Sequence, residues 1–320
     1  MTDSQNPSLT EAELTVIVIS YNTRDMTLTA IRSLYETTKN VAINVVVFDN
    51  ASSDGSAEAV AEAFPQARVI ASPDNLGFAK ANNVVASEVE TEWLLLLNPD
   101  TECHPGAVDN LMAFAQARPQ AGIWGGRTVF PDGSLNIASC WMRITPWSLL
   151  CRSLGLSTLF PKSELLNSEA IGGWQRDTVR EVDIVVGCFL LIKRSLWNEL
   201  DGFDLRYFMY GEEADLCLRA AKQGYRPAIT PDAQIMHVVG AASKTRGDKI
   251  LLVTKARATL VRDHWPAALV PLGLVLMWIA VGVRTLGLGL LAKLRGGRWV
   301  DRATAQTEVW RARRDWLVGY

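Results

Sequence analysis

Four short apolar runs recur through the first hundred residues: LTVIVIS (14–20), INVVVFD (43–49), ARVIAS (67–72) and EWLLLL (92–97). Each is of strand length and nearly unbroken by polar residues, so each has to be covered on both faces. Between them, and after the last, segments 24–38, 56–64, 77–87 and 105–118 space their apolar residues as helices do. Strands that alternate with helices and are apolar on both faces predict an α/β fold, a mostly parallel sheet with helices on both sides. Ligands bind such a sheet at the carboxyl ends of its strands. Polar residues gather at those ends: Ser20-Tyr21-Asn22 after the first run, DNASSDGS (49–56) after the second, and Asn98-Pro99-Asp100 after the fourth. One such loop is an ordinary turn. Three along one sheet edge line a single crevice.

A chain of 320 residues with 48% hydrophobic and 21% charged residues can bury a sizeable core and is not a disordered polymer. Its net charge of −2 hides an asymmetry. Residues 284–320 carry eight Lys/Arg against three Asp/Glu, a surplus of five, which leaves −7 on everything before them. A basic tail of this kind suits an anionic surface. The five cysteines (Cys103, Cys140, Cys151, Cys188, Cys217) are scattered and contain no CxxC pair, which predicts reduced thiols in a cytoplasmic protein. The start, MTDSQNPSLTEAE, is polar and acidic, so residues 1–13 read as a flexible N-terminus without a signal peptide.

Beyond residue 125 the pattern loosens. Pro131-Asp132-Gly133 marks a hairpin turn, and 138–180, with Trp141, Trp147 and Trp174 among Pro, Ser and Gly, reads as a loop or lid. VDIVVGCFLLIKRS (182–195) predicts a strand, and GEEADLCLRAAKQGY (211–225) a helix closed by Gly224. Residues 14–245 thus form one domain, followed by a C-terminal helical region, 246–320. Within that region 267–283 holds no charge, at the short limit for a membrane span. An apolar helix or helical hairpin over 267–292 lies either on a membrane or in a dimer interface.

Asp100, placed by a proline after a buried strand, either caps the helix that follows or binds a divalent cation. In YGEEAD the acids Glu212, Glu213 and Asp215 open a helix, where the macrodipole favours them. Glu213 shares a face with Leu216, Cys217 and Ala220 at the edge of the buried stripe, whereas Glu212 lies with Asp215 and Arg219, the last two spaced for an ion pair. Glu213 is therefore the candidate general base, its pKa raised by desolvation. His237 is either a packed histidine or, beside Asp100, half of an oxygen-plus-imidazole site that Mn²⁺ or Mg²⁺ with a diphosphate would use.

Six blocks, VIVISYN, VVVFDNASSDGS, NLGFAKANN, LLLLNPD, VDIVVGCFLLIKRS and FDLRYFMYGEEADLCLRAAKQGYRPAITPDAQIMH, occur in the order and spacing seen in family-2 nucleotide-sugar glycosyltransferases. Over about residues 14–240 the chain resembles that family, in particular its bacterial rhamnosyltransferase branch. The resemblance implies the GT-A fold, a Rossmann-like domain binding a nucleoside-diphosphate sugar and Mg²⁺ or Mn²⁺, here with C-terminal apolar and amphipathic helices added. It makes Asp100 the ligand of metal and diphosphate, with His237 as distal metal ligand. Asn98 stands where the family's DXD motif has its first aspartate. Asp49 would contact the base, with Tyr21, Asn22, Asn50, Asn75, Asn82 and Asn83 on the donor side. The family's Glu-Asp pair reads Glu212-Glu213, which leaves Glu213 or Asp215 as catalytic base. No QxxRW motif is present, which implies transfer of one or a few sugars.

The implied activity is inverting transfer of a single sugar, best read as L-rhamnose from a dTDP-linked donor, with a UDP-sugar as the alternative. The acceptor would be a saccharide or lipid-linked saccharide in bacterial cell-surface polysaccharide synthesis, with 138–180 on the acceptor side. The implied location is the cytoplasm, peripheral on the inner face of the plasma membrane through 267–320, or a homodimer; no nucleic acid is expected as partner. Two other classes compete. A nucleotide-sugar-binding protein would follow if Asn98 and Glu213 disabled catalysis. A nucleotidyltransferase would need a glycine-rich phosphate loop, which ISYNTRD is not.

Overall fold

The computed structural model describes residues 12–238 and 246–320. Most of the expected flexible N-terminus, and the boundary set at residue 245, lie outside the described residues.

The first half alternates as its periodicity predicts: β1 (Leu14–Ser20), α1 (Arg24–Thr37), β2 (Ile43–Asp49), α2 (Ser56–Ala63), β3 (Arg68–Ala71), α3 (Gly77–Glu88), β4 (Trp93–Leu97), β5 (Thr101–Cys103) and α4 (Ala107–Ala117). Then come β6 (Ile123–Val129), β7 (Leu135–Asn136), β8 (Cys140–Trp141), α5 (Pro146–Ser153), α6 (Leu156–Leu159), β9 (Arg180–Glu181), β10 (Ile184–Val185), β11 (Phe189–Lys193), α7 (Arg194–Glu199), α8 (Glu212–Lys222) and β12 (Ala228–His237). Four helices close the chain: α9 (Arg246–His264), α10 (Val270–Arg295), α11 (Arg298–Arg311) and α12 (Arg313–Val318).

The main sheet runs β3-β2-β1-β4-β11-β6-β12-β5, with β7 on β6 and β9 on β12. β1 to β4 are mutually parallel, and β6 and β12 share their direction, because β11 enters antiparallel between β4 and β6. Both faces are covered. One apolar cluster joins Val16, Val45, Leu95 and Leu97 to Leu34 of α1 and Leu111 of α4; the other joins Ile17, Val46, Leu94 and Leu96 to Val85 of α3 and Leu216 of α8. The alternate residues of the four leucines point to opposite clusters, as the period of a strand requires.

Three features differ from the sequence reading. The run 182–195 is not one strand: it pairs first with β8 in a separate two-stranded sheet, turns at Val186-Gly187-Cys188, and only then enters the main sheet as β11. The segment 138–180 is tied down rather than free. Arg176, 1% exposed, donates to the carbonyls of Ala170 and Trp174, and Glu169 accepts two hydrogen bonds from Arg257 of α9. The apolar stretch 267–292 is no hairpin but a short 3₁₀ turn followed by the single helix α10, with Pro271 harmless in its first turn.

The C-terminal helices share a core with the domain. Tyr207, Ala214 and Leu218 pack with Ala256, Val261, Val309 and Trp316. Gly211, with φ of +95°, has no room for a side chain: a Cβ there would stand 2.8 Å from that of Ala256. Helix α10 buries only Gly273, Leu276, Met277 and Ala280 of its length, leaving a long apolar face outward.

Candidate active site

The parallel strands deliver β1, β2 and β4 to one edge of the sheet, and the antiparallel β11 brings its start, Gly187-Cys188, to the same edge, with Phe189 opposite Leu97. The turn after β4 is fixed there from three sides. The Asn98 N–H donates to the Cys188 carbonyl (3.1 Å), the Thr101 hydroxyl to the Asn98 carbonyl (2.7 Å), and the Val238 N–H to the Asp100 carbonyl (3.0 Å). His237, at the end of β12, thereby meets Asp100, with Nε2 3.2 Å from Oδ1 and both residues 8% exposed. Burial disfavours the imidazolium, but the neighbouring Cys188 thiol and Asp100 carboxylate outweigh it and push the ring up to about 10. Nδ1 of His237 is buried and without a hydrogen-bond partner among the described residues.

Asp49, 4% exposed, accepts the Ser52 N–H at Oδ2 (3.0 Å), while its Oδ1 is buried without a partner among the described residues. A buried carboxylate oxygen with no donor is costly unless a ligand supplies one. Most of the asparagines have other work. Asn50 accepts from the Leu76 N–H and donates to the Gly77 carbonyl, so it clamps the loop before α3, where the Asn75 side chain accepts the Gly77 N–H. Asn83 bonds both backbone groups of Phe203, tying α3 to the loop before α8. Asn82 is fully buried and donates within its own helix to the Phe78 carbonyl. Asn22, at φ of +52°, accepts the Ser53 N–H. Tyr21 and Asn98 are half-buried.

The acids of α8 divide as their faces require. Glu213 is half-buried, with Oε2 accepting the Gly211 N–H (3.2 Å), and Gly187 lies beneath it: a Cβ on Gly187 would stand 3.8 Å from that of Glu213 and 3.3 Å from the Phe78 ring. Burial raises the Glu213 carboxyl. Glu212 is 4% exposed, its Oε2 unpartnered among the described residues, and burial followed by the charge of Glu213 raises it well above the glutamate range. Asp215 is the opposite case. Burial would raise it, but the His264 hydrogen bond (2.8 Å) and Arg219 (2.7 Å) together hold it below the usual range. Both its oxygens are occupied, so the arrangement disfavours Asp215 as a base. The Asp215–Arg219 pair follows from the i,i+4 spacing, whereas His264, 49 positions away on α9, carries no signal in the sequence. Gly187 and Cys188 are likewise site residues the motifs alone do not single out.

The turn that carries Asp100 and the start of α8 that carries Glu213 are linked through the two adjacent residues Cys188 and Gly187. Among the described residues no group of three His, Cys, Asp or Glu side chains is placed to hold a cation unaided.

Comparison with known proteins accords with this layout. The N-acetylglucosaminyl-diphospho-decaprenol L-rhamnosyltransferase of Mycobacterium tuberculosis is 29% identical over 223 residues, 61% of this chain and 66% of that protein. The rhamnosyltransferase WbbL of Escherichia coli is 27% identical over 172 residues, 50% and 60% of the two chains. The matched stretch thus spans under two thirds of either relative. Among solved structures, a mannosyltransferase from Pyrobaculum calidifontis in complex with GDP-Man and Mn²⁺ is 19% identical, with a TM-score of 0.58 over 98% of this chain and 89% of that one. Staphylococcus aureus TarS (residues 1–349) with UDP is 15% identical, with a TM-score of 0.54 over 95% and 92%. At such identities the likeness concerns the fold. The model described as Glycosyl transferase family 2 matches residues 15–198, more than half of the chain and all of the strands that build the crevice up to β11, and on that match the chain belongs to glycosyl transferase family 2.

Proposed function

We propose that the protein transfers a single sugar from a nucleoside diphosphate to a saccharide or lipid-linked saccharide, with inversion and with a divalent cation. The observation that carries this reading is the pairing, across Gly187-Cys188, of a desolvated carboxyl (Glu213) with a carboxylate–imidazole pair (Asp100 and His237). The family match ends at residue 198, before both Glu213 and His237, so their roles rest on this geometry.

One carboxylate and one imidazole are donors that Mg²⁺ or Mn²⁺ accepts alongside diphosphate oxygens. Asp100 and His237 would hold such a cation, which would supply positive charge to offset that of the departing diphosphate. Asn98, lacking the charge of a second aspartate, would contribute a weaker polar contact. The free Oδ1 of Asp49 is placed to accept an N–H from the base. Thymine and uracil both carry such an N–H, which fits a dTDP- or UDP-linked donor. Glu213 takes the proton from the acceptor hydroxyl as it attacks the anomeric carbon from the face opposite the leaving group, so no covalent enzyme intermediate forms. Relatives named rhamnosyltransferases support L-rhamnose as the sugar, and we take cell-surface polysaccharide as its destination.

Membrane association belongs to the same proposal. The stretch Ala267–Arg295 is long and apolar enough to cross a bilayer, with only 17% of its most apolar window buried, and Lys293, Arg295, Arg298 and Arg302 follow or end it. We place it on the anionic inner leaflet, where lipid-linked acceptors reside. The test is a thermal-shift screen of dTDP-, UDP- and GDP-sugars with and without Mn²⁺, followed by transfer assays. Stabilisation by a dTDP- or UDP-sugar only with the cation is expected; a protein that none of them stabilises refutes the donor site.

A further inference from the structure

Between α5 and the helices α9 to α11 lies a second charged cavity that the proposed chemistry does not use. Its volume is about 50 Å³, and Arg152, Arg257 and Arg284 line it together with Gln306. No carboxylate lines it among the described residues. Glu169 stands behind, held by Arg257 at 2.7 and 2.9 Å and by Arg152 at 4.0 Å. Arg257 beside it holds the Arg152 guanidinium down at about 10, the mark of like charges held close together. Gln306, 2% exposed, lines the same cavity.

The walls point to an amphiphile. Leu149, Met277 and Val281 line the same cavity, and the two helices that supply them carry exposed apolar residues. Trp147, Leu150 and Leu154 project from or just beyond α5, and Trp278, Ile279 and Val283 from α10. Arg257 also follows Ala256, which packs on Gly211 at the start of α8.

We propose that Arg152, Arg257 and Gln306 form a binding site for the phosphate or diphosphate group of a membrane lipid, whose chain lies against the exposed faces of α5 and α10. The inference deepens the function proposed above and rests on it only for the lipid's role as carrier of the acceptor sugar. Guanidinium groups and a carboxamide are the donors a terminal phosphate needs.

The test uses the full chain and flotation with phosphatidylcholine vesicles containing either a polyprenyl diphosphate or phosphatidylglycerol at equal surface charge. The wild-type protein should bind the diphosphate vesicles about tenfold more tightly, the worth of one charge-assisted hydrogen bond. R152A should lose that preference. Its side chain is 44% exposed and its removal leaves the Arg257–Glu169 pair intact, so the variant should melt as the wild type does. Q306L, which removes only the amide, should weaken the preference as a second, independent variant. Equal wild-type binding to both vesicles, or an undiminished preference in both variants, overturns the proposal. Inorganic pyrophosphate that stabilises the wild type but not R152A, without any vesicle preference, assigns the cavity to a soluble anion and overturns the lipid assignment. Metal-dependent donor hydrolysis by the wild type without vesicles tests glycosyl transfer separately: its absence alongside an intact vesicle preference removes the function and leaves the lipid-phosphate site.

Discussion

Replacing Glu213 by Gln and Asp215 by Asn should move activity and stability in contrasting ways, because the fold treats two acids of one helix turn oppositely. The Glu213 carboxyl is raised by burial. A carboxyl raised on folding takes up a proton, so the stability associated with it is intact at low pH and is lost as pH rises from the ordinary glutamate value through the raised one. At neutral pH Glu213→Gln therefore leaves stability unchanged or greater. It also removes the proposed base, and general-base catalysis is worth about 10²- to 10⁴-fold, or roughly 2.7–5.4 kcal/mol of barrier. Asp215 is lowered by His264 and Arg219 against the pull of burial, so its contribution is present above the usual aspartate range and is lost as pH falls through the lowered value. Breaking a buried pair costs about 3–5 kcal/mol. Arg219 keeps the carbonyls of Leu200 and Gly202 as acceptors, so the loss in Asp215→Asn belongs at the low end, about 3 kcal/mol. With an unfolding entropy of about 2.1 cal/mol/K per residue over 320 residues, the melting temperature should fall by about 4–5 °C. Initial transfer rates, donor affinity and melting curves of the two variants decide the matter. Transfer by Glu213→Gln at the wild-type rate, or an Asp215→Asn protein that melts normally yet is inactive, would refute the division of roles.

Other outcomes follow from the same geometry. Asp100→Asn and His237→Ala should each abolish the extra thermal stability that donor and Mn²⁺ give together, read by thermal shift; a cation effect that survives in both would refute the metal site. Glu169, 13% exposed, is held down to about 2 from an ordinary 4.5, chiefly by Arg257 working against burial. That shift corresponds to about 3 kcal/mol of stability, present above the ordinary value and lost as pH falls toward 2, so acid denaturation of Glu169→Gln should show a shallower decline over that window than the wild type. Val275 and Val283 are 54% and 46% exposed, so changing both to Glu should leave the melting temperature within about 1 °C while sharply reducing flotation with anionic vesicles. Unchanged flotation would count against the membrane role.

Much of the fold is legible along the chain. The runs 14–20 and 43–49 coincide with β1 and β2, 92–97 contains β4, and the helices α1 to α4 lie at the places their spacing indicates. The same strand ends gather Ser20, Asp49 and Asp100 at one edge, as a parallel sheet must. On α8 the pairing of Asp215 with Arg219 follows from their i,i+4 spacing. These features are local: they depend on period, turn chemistry and neighbours within a few residues.

What the sequence leaves open depends on pairings between distant segments. VDIVVGCF reads as one strand because every residue in it suits a strand, yet the backbone turns at Gly187 and sends its halves into different sheets. The amides of Asn50 and Asn83 read as donor-site candidates along the chain; only the approach of the loops before α3 and α8 gives them backbone partners. His264 becomes the partner of Asp215, and Ala256 the lid on Gly211, only when α9 folds back on α8. The arginines at 152, 257 and 284 share one cavity although over a hundred positions separate the first from the second. By itself the sequence determined the alternation of strands and helices and the edge where ligands bind, because hydrophobic period acts within each element. The tertiary structure decided which acid is desolvated and which is paired, and where surplus positive charge collects, because burial and charge proximity arise only when elements remote in the chain are packed together.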